Sequence, residues 1–269
     1  VVAYGVRKKG TIAGSVSTVK SDAIADTPAA SFDQALQGKA TGLMVLSNSG
    51  EPSATASFQI RGTNSINSGT SPLFILDGIP ISASDFNAIS PNDIESVSVL
   101  KDASSTSIYG ARAANGVVVI TTKRGRIAQD ARITLRTQAG FSQIAGSKWN
   151  LMNTAERIQY EQEVGLTDGK NYEKLAKTDV NWLNEVFNKY APLQNYELQA
   201  SGATDKLNYY VSGGYYSQDG TTADSDFNRY NFRVNLEAQA KKWLKIGTNS
   251  MLAYEKYDES VEGVYAVNT

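Results

Sequence analysis

The second half of this chain alternates apolar and polar residues with a period of two, in five successive stretches. In the clearest of them, from Tyr230 to Ala238, every even position is apolar and every odd position is polar. The other four stretches lie at 131–141, 196–201, 207–215 and 244–254. Because successive side chains of a β-strand point to opposite faces, this period predicts five two-faced strands. The apolar face of such a sheet must be covered, either by a second sheet or by lipid.

The connections between these stretches alternate between long and short. Residues 142–195 separate the first two stretches and contain helical patterns at Thr154–Val164 and 181–189. The later connections are a short turn, a polar loop and a tight turn, at 203–205, 218–228 and 241–242. Long loops at one end and short turns at the other are typical of outer-membrane barrels. A soluble β-sandwich or meander also alternates, so the pattern leaves both architectures open.

The composition excludes several classes of site. The chain has no Cys and no His, so it has no disulfide framework, no Ser-His-Asp triad and no ordinary zinc site. Lys and Arg number 26 against 27 Asp and Glu, and this balance argues against a nucleic-acid partner held by phosphate contacts. Neither a P-loop nor a nucleophile-elbow motif is present. We therefore expect a protein that is not an enzyme, with no catalytic residue, no cofactor and no metal.

The first half, to about residue 126, predicts a small α+β unit with short elements. Ser31 fits the N-cap of a helix that ends near Gly38. Asp77 and Gly78 lie between two apolar runs and predict a hairpin turn, with no further role for either residue. The run 91–95 predicts a short helical turn that leads into a strand.

Four segments of this first half resemble a known family in the family's own order. They are LQGKATGL at 36–43, FQIRGTNSI at 58–66, PLFILDGIPI at 72–81 and ISPNDIESVSVLKDASSTSIYGARAANGVVVITTKRG at 89–125. Together they resemble the plug domain of SusC/RagA-type TonB-dependent outer-membrane transporters. Three later pieces, near 178–182, 208–212 and 243–247, resemble the first barrel strands and loops of the same family.

This resemblance implies an α+β plug domain followed by antiparallel transmembrane β-barrel strands. Residues 1–127 would be a TonB-box remnant and the plug, and residues 128–269 would be about five strands of the barrel with their loops. Plugged barrels of this kind have about 22 strands, so the chain would hold only part of one.

The function that the resemblance implies is TonB-dependent active import of an oligosaccharide or oligopeptide, with the plug gating the barrel. The protein would lie in the outer membrane of a Gram-negative bacterium. Its partners would be TonB, a SusD-like surface lipoprotein, the substrate and outer-membrane lipid. The alternative from the residues alone is a soluble or surface-exposed β-rich module that binds carbohydrate or peptide without transport.

Two groups of binding residues follow from the resemblance. The first five residues would contact TonB as an added strand, the alternative being a frayed terminus; they are Val1, Val2, Ala3, Tyr4 and Gly5. Two polar loops would face the substrate, because amide and hydroxyl groups both donate and accept hydrogen bonds. Their residues are Asn64, Ser65, Asn67 and Ser68 in one loop and Ser82, Asp85 and Asn87 in the other. The alternative for both loops is a simple solvated surface.

A third group would latch the plug to the barrel lumen through charged side chains. Its members are Arg61, Glu95, Lys101, Asp102 and Arg112. Within this group we expect Arg61 to be buried against carboxylates of the barrel wall. Pairs of this kind could hold the plug at rest and be disturbed when it is pulled.

Overall fold

The computed structural model describes residues 16–25, 31–46, 51–52, 54–60, 62, 70–102, 106–125, 130–144, 151–166 and 169–258. These residues form two sheets of five strands each and one pair of strands. No helix within the described ranges is long and apolar enough to cross a membrane. We refer to residues 16–125 as the N-terminal unit and to the five strands that follow it as the long sheet.

The N-terminal unit is built on a mixed sheet in the order β1–β6–β7–β4–β5. Its strands are β1 Val16–Lys20, β4 Leu73–Leu76, β5 Ile79–Ile81, β6 Ile94–Leu100 and β7 Val117–Thr122. A separate antiparallel pair consists of β2 Leu43–Leu46 and β3 Ser57–Ile60. β4 and β7 are parallel, whereas the other neighbours in the five-stranded sheet are antiparallel. Because β7 is central, it is buried at nearly every position.

The core of the N-terminal unit is apolar and rich in phenylalanine. Phe32, Phe58, Phe74 and Phe86 meet edge to face, with ring centroids 4.6 to 5.5 Å apart. The two short helices are α1 Ser21–Ala25 and α2 Phe32–Leu36. Ser31 occupies the N-cap position of α2 as predicted, but its hydroxyl donates to the Asp33 carboxylate and makes no capping hydrogen bond.

The predicted turns of the N-terminal unit are present. Asp77 and Gly78 have φ angles of 48° and 93° and join β4 to β5, as the Asp-Gly pair predicts. Pro91–Asp93 forms one short 3₁₀ turn directly before β6. A second 3₁₀ turn, Ala83–Phe86, precedes it, and a third covers Ser107–Ala113.

The long sheet runs in simple chain order, β8–β9–β10–β11–β12, and all of its pairs are antiparallel. The strands are β8 Arg132–Ser142, β9 Ala191–Ala203, β10 Leu207–Asp219, β11 Asp226–Lys241 and β12 Leu244–Asp258. The predicted alternation is confirmed, and several strands extend beyond the alternating stretches because backbone pairing continues through their polar ends. With 11 to 16 residues each, they can cross a bilayer when tilted.

The long sheet buries its polar face and exposes its apolar face, which is the opposite of the arrangement in a soluble protein. Four polar residues at odd positions of β11 are only 1% to 7% exposed: Arg229, Asn231, Arg233 and Asn235. Apolar residues of the opposite face are 47% to 75% exposed: Ile133, Leu135, Leu198, Phe232 and Leu252. A soluble sandwich would bury the apolar face. A buried polar face and an exposed apolar face are the pattern of strands that face lipid.

The connection between β8 and β9 is helical. Its helices are α3 Thr154–Val164, α4 Tyr172–Leu175 and α5 Trp182–Val186. Asn153 and Glu156 form a capping box at the start of α3, and Gly165 ends it with a φ of 78°. The helical patterns of the sequence therefore correspond to helices, although α5 is shorter than its pattern.

Candidate functional site

The N-terminal unit meets the long sheet through residues 87–93, the stretch just before β6, which we call the docking segment. Asn87, Ser90, Asn92 and Asp93 are each no more than 8% exposed. Their polar groups are bound by side chains of β9, β10 and β11. The Pro91–Asp93 turn is closed by the Asp93 amide, which donates to the Ser90 carbonyl at 3.0 Å, and its side chains contact the long sheet, which we call the wall.

Asp93 is the centre of the interface. Its Oδ1 accepts hydrogen bonds from the Tyr210 hydroxyl at 2.8 Å and from the Ser212 hydroxyl at 2.5 Å, both on β10. Its Oδ2 lies 3.5 Å from Nε of Arg233 on β11. The carboxylate is thus placed among two donors and one cation, which is the environment that a buried charge requires.

Arg233 lies between two carboxylates of the N-terminal unit. Besides Asp93, its guanidinium lies 3.7 Å from Oδ2 of Asp77, and Nη2 contacts Sδ of Met251 at 3.0 Å. Asp77 in turn accepts from the backbone N–H and the hydroxyl of Thr122, at 3.0 and 2.5 Å. The expectation that Asp77 is a turn residue and nothing more is therefore wrong. Its carboxylate fastens the β4–β5 turn to the end of β7 and faces the arginine of the wall.

β9 contributes an acid to the same interface. Oε2 of Glu197 accepts from the Ser90 hydroxyl at 3.0 Å and from Nδ2 of Asn92 at 2.8 Å. Nε2 of Gln199, on the same face of the strand, donates to Oε1 of Glu197 at 2.5 Å. Every oxygen of this buried carboxylate therefore has a donor, as burial requires.

The far end of the interface is made by Asn235 of β11. Its Nδ2 donates to the Thr122 hydroxyl at 3.0 Å and to the Lys123 carbonyl at 2.7 Å. Lys123 itself is half-buried. Burial lowers the pKa of its ammonium, and Arg136 lowers it further, whereas the carboxylates of Glu197 and Asp93 oppose the change.

The chain leaves the N-terminal unit through a position that only glycine fits. A Cβ on Gly125 would clash with the carbonyl of Gly202 and with the side chain of Asn208. The backbone therefore passes in direct contact with the β9–β10 turn. This contact and the Asn235 contact fix the end of the N-terminal unit against the wall.

Arg229 makes a contact of a different kind at the opposite end of β11. Its Nη1 donates to the Asn87 carbonyl at 2.7 Å and lies 3.5 Å from the Ile89 carbonyl. The guanidinium carbon lies 5.4 Å from the ring centre of Tyr216. Arg229, Arg233 and Asn235 thus contact the N-terminal unit in sequence along a single strand.

The structure uses the second predicted substrate loop mainly to build a turn. Oδ2 of Asp85 accepts from the backbone N–H and the hydroxyl of Ser82, at 2.9 and 2.8 Å. Both residues are exposed at the surface. Asn87 differs from the prediction, since it is 8% exposed and its carbonyl is held by Arg229, so in this structure it is a wall contact.

The predicted latch residues lie in several different places. Glu95 is half-buried on β6, next to the docking segment. Lys101 lies over the turn at Gly42, with Nζ 2.8 Å from the position that a Cβ of that glycine would occupy. The Asp102 carbonyl accepts from the Thr106 amide, and Arg112 is exposed.

Several predicted site residues lie outside the described residues. They are Val1, Val2, Ala3, Tyr4, Gly5, Arg61, Asn64, Ser65, Asn67 and Ser68. The sequence patterns did not predict the residues that join the N-terminal unit to the long sheet: Asp77, Asp93, Glu197, Arg229 and Arg233. One signal for them was available. Arginines four positions apart on the polar face of one alternating strand indicate that this face meets a partner and not lipid.

Comparison with known proteins agrees with this architecture. Residues 8–117 match the family model of the TonB-dependent receptor plug domain. TonB-dependent receptor P3 of Formosa agariphila is 38% identical over 93% of this chain and 24% of its own length. TonB-dependent receptor SusC of Bacteroides thetaiotaomicron is 33% identical over 88% of this chain and 24% of its own length.

A solved structure of the RagAB peptide importer in its open-open state is also similar. It superimposes with a TM-score of 0.88 and 36% sequence identity, over 98% of this chain and 33% of that chain. This chain spans about a quarter of the length of the curated relatives it matches. The plug match covers residues 16–117 of its N-terminal unit, and its long sheet exposes an apolar face. The chain therefore belongs to the SusC/RagA type of TonB-dependent receptors of the Gram-negative outer membrane.

Proposed function

We propose that this chain is the plug and the first barrel strands of a longer importer, which takes up an oligosaccharide or oligopeptide with energy supplied through TonB. Residues 1–127 would form the TonB-contacting segment and the plug, and residues 128–269 the first strands of the barrel. A SusD-like surface lipoprotein would deliver the substrate. The proposal is supported by the relatives named above, which include a peptide importer.

The observation that carries the gating part of this proposal is the polar docking of Asp93 and Asp77 on Arg233. A gate must be held at rest and must also be able to leave the wall. Hydrogen bonds and ion pairs suit this need, because both partners can bind water after they separate. We therefore place the latch at these three residues, with Glu95 at its edge.

The binding groups of the proposal are the two polar loops and the N-terminal residues. Ser82 and Asp85 are exposed beside the docking segment, where a ligand on the plug could reach them. Val1 to Gly5 would pair with TonB through the backbone, so Val2→Pro removes a donor and should abolish uptake. Binding at the cell surface should change by no more than about threefold, because the substrate lies on the far side of the plug.

The test uses the full-length transporter in its own outer membrane. Two probes, a mixture of tryptic peptides and a mixture of malto-oligosaccharides, are offered to the cells, and their depletion is measured by mass spectrometry. We expect depletion of one class, lost on deletion of TonB and in Val2→Pro. Uptake that survives the loss of TonB would contradict energy coupling. Recovery of the protein from the soluble fraction would instead support the binding-module alternative.

A further inference from the structure

The side chain of Arg229 contacts the backbone of the N-terminal unit. Its Nη1 donates to the carbonyl of Asn87 at 2.7 Å and lies 3.5 Å from the carbonyl of Ile89. Arg233, four residues along the same strand, instead meets the side chains of Asp77 and Asp93. These two contacts of Arg229 with backbone carbonyls therefore do not depend on the side chains at positions 87 and 89.

The segment that Arg229 holds is a preformed unit. Ser82 and Asp85 form a capping box around the 3₁₀ turn Ala83–Phe86. The Ile89 amide donates to the Phe86 carbonyl at 3.0 Å, which closes the following turn. Phe86 is fully buried in the phenylalanine core. The exposed turn is thus fastened on one side to the core of the N-terminal unit and on the other to the wall.

Arg229 is itself firmly positioned. It is 1% exposed, its guanidinium lies over the Tyr216 ring, and its neighbour across the strand pair is Glu255 of β12. The Tyr216 hydroxyl donates to Oε1 of Gln218 at 2.6 Å, which fixes the ring. A guanidinium fixed in this way is a rigid donor. If the carbonyls move away, the arginine side chain cannot move with them, and the hydrogen bond is lost.

We propose that Arg229 is a positioning residue that couples the exposed turn Ala83–Phe86 to the barrel wall. A ligand with hydroxyl or ammonium donors that binds Ser82 and Asp85 would draw the capped turn as a unit. Asn87 and Ile89 follow the turn directly, so their carbonyls would leave the guanidinium and the wall would lose this hold. The inference rests on the proposed function, in which this turn faces the substrate.

The first test needs no substrate. Hydrogen exchange is followed by mass spectrometry on the full-length transporter, and Arg229→Met is compared with Arg233→Met, the same change four residues along the strand. We expect Arg229→Met to raise exchange in residues 85–89 at least tenfold and to leave β6 unchanged, whereas Arg233→Met spares residues 85–89. Arg229→Lys keeps a donor and should lie between wild type and Arg229→Met. Unchanged protection of 85–89, or an equal rise in β6, would overturn the proposal.

The second test separates coupling from folding. In cells offered the same peptide and malto-oligosaccharide mixtures, Arg229→Met should bind the imported class within threefold of wild type and take it up at least tenfold more slowly, with partial rescue by Arg229→Lys. Loss of binding and uptake in equal measure, or no loss of either, would overturn coupling through Arg229. If wild type itself imports neither class, the proposed function fails, and the exchange result still decides whether Arg229 holds the turn.

Discussion

The N-terminal unit is held together by one kind of chemistry and held to the wall by another. Its interior is a cluster of four phenylalanines with the buried valines and isoleucines of β6 and β7. Its interface with the long sheet is made of Asp93, Arg233, Glu197 and Asn235, with their hydrogen bonds. Opening the interior would expose apolar surface at about 25 cal/mol per Å². Opening the interface exchanges protein hydrogen bonds for water, at a net cost of about 1 kcal/mol each.

This difference indicates which part separates first. We expect the unit to leave the wall with its own core closed, because most of the apolar burial lies inside the unit, although Met251 of β12 also packs against that core. The same polar face would let water enter once the contact opens. An apolar interface of equal size would bind the unit permanently.

The largest loss of stability is expected from a substitution in the apolar core of the N-terminal unit. Phe86 is fully buried and contacts three other rings, so Phe86→Ala should destabilise the N-terminal unit by about 3–5 kcal/mol. Urea unfolding, followed by thiol labelling of a cysteine at the buried Val118, measures the change. Met44→Ala, at a 46% exposed position, is the control and should alter stability by less than about 0.5 kcal/mol.

Asp93→Ala disrupts the polar interface between the N-terminal unit and the long sheet. This change removes the acceptor of Tyr210 and Ser212 and leaves Arg233 with one carboxylate fewer, so the interface should weaken by about 3 kcal/mol. A cysteine at Gln199, buried at the same interface, should then label about a hundredfold faster. Asp93→Asn keeps an acceptor oxygen and should have a smaller effect. An equal loss in the two variants would show that the acceptor oxygen contributes little once the charge is removed.

The outer face of the long sheet provides a third contrast. Phe232 is exposed near the middle of β11, and a lysine there would lie in the hydrocarbon layer at a cost of about 2–3 kcal/mol. Urea unfolding of the full-length protein in lipid vesicles measures the cost. Ile246→Lys, on the same face but near the start of β12, should cost less than about 1 kcal/mol. Equal costs at the two positions would argue against a lipid-facing surface.

The smallest effect concerns an ion pair at the surface, in the connection between β8 and β9. Lys170 and Arg157, each 2.8 Å from the Glu161 carboxylate, hold the pKa of Glu161 below its ordinary value. The folded connection therefore binds fewer protons than the unfolded one. Its stabilisation is present above the ordinary glutamate pKa and is lost as pH falls through the lowered one. Pepsin cleavage within 151–190 should be slower in wild type than in Glu161→Gln at about pH 5, and the two rates should converge as pH falls below about 4.

Local features of the structure could be predicted from the sequence, and distant contacts could not. Period-2 alternation located all five strands of the long sheet, because the alternation depends only on neighbouring residues. The helix Thr154–Val164 coincides with its pattern, since its capping box lies within the first turn. The Asp77-Gly78 turn was predicted for the same reason.

The ion-pair partner of Asp77 could not be predicted from neighbouring residues in the sequence. Arg233 lies far along the chain, and only the packing of the N-terminal unit on β11 brings the two together. The resemblance to the family predicted that charged residues of the plug meet the wall, and Asp77 and Asp93, which do so here, were not among those named. The same limit applies to the contact between Arg229 and the Asn87 carbonyl, because a backbone acceptor leaves no trace in side-chain identity.

The most direct measurement compares two single cysteines introduced into the full-length transporter, in a stretch of 269 residues that contains no native cysteine. Ser212→Cys reports on the interface, where residue 212 is 1% exposed beside Asp93, and Val99→Cys reports on the core, where residue 99 is fully buried. Thiol labelling is followed at increasing urea concentration. We expect position 212 to label at lower urea, and with a smaller urea dependence, than position 99. Labelling of both positions at the same urea concentration and with the same slope would contradict this expectation, because the unit would then leave the wall only by unfolding.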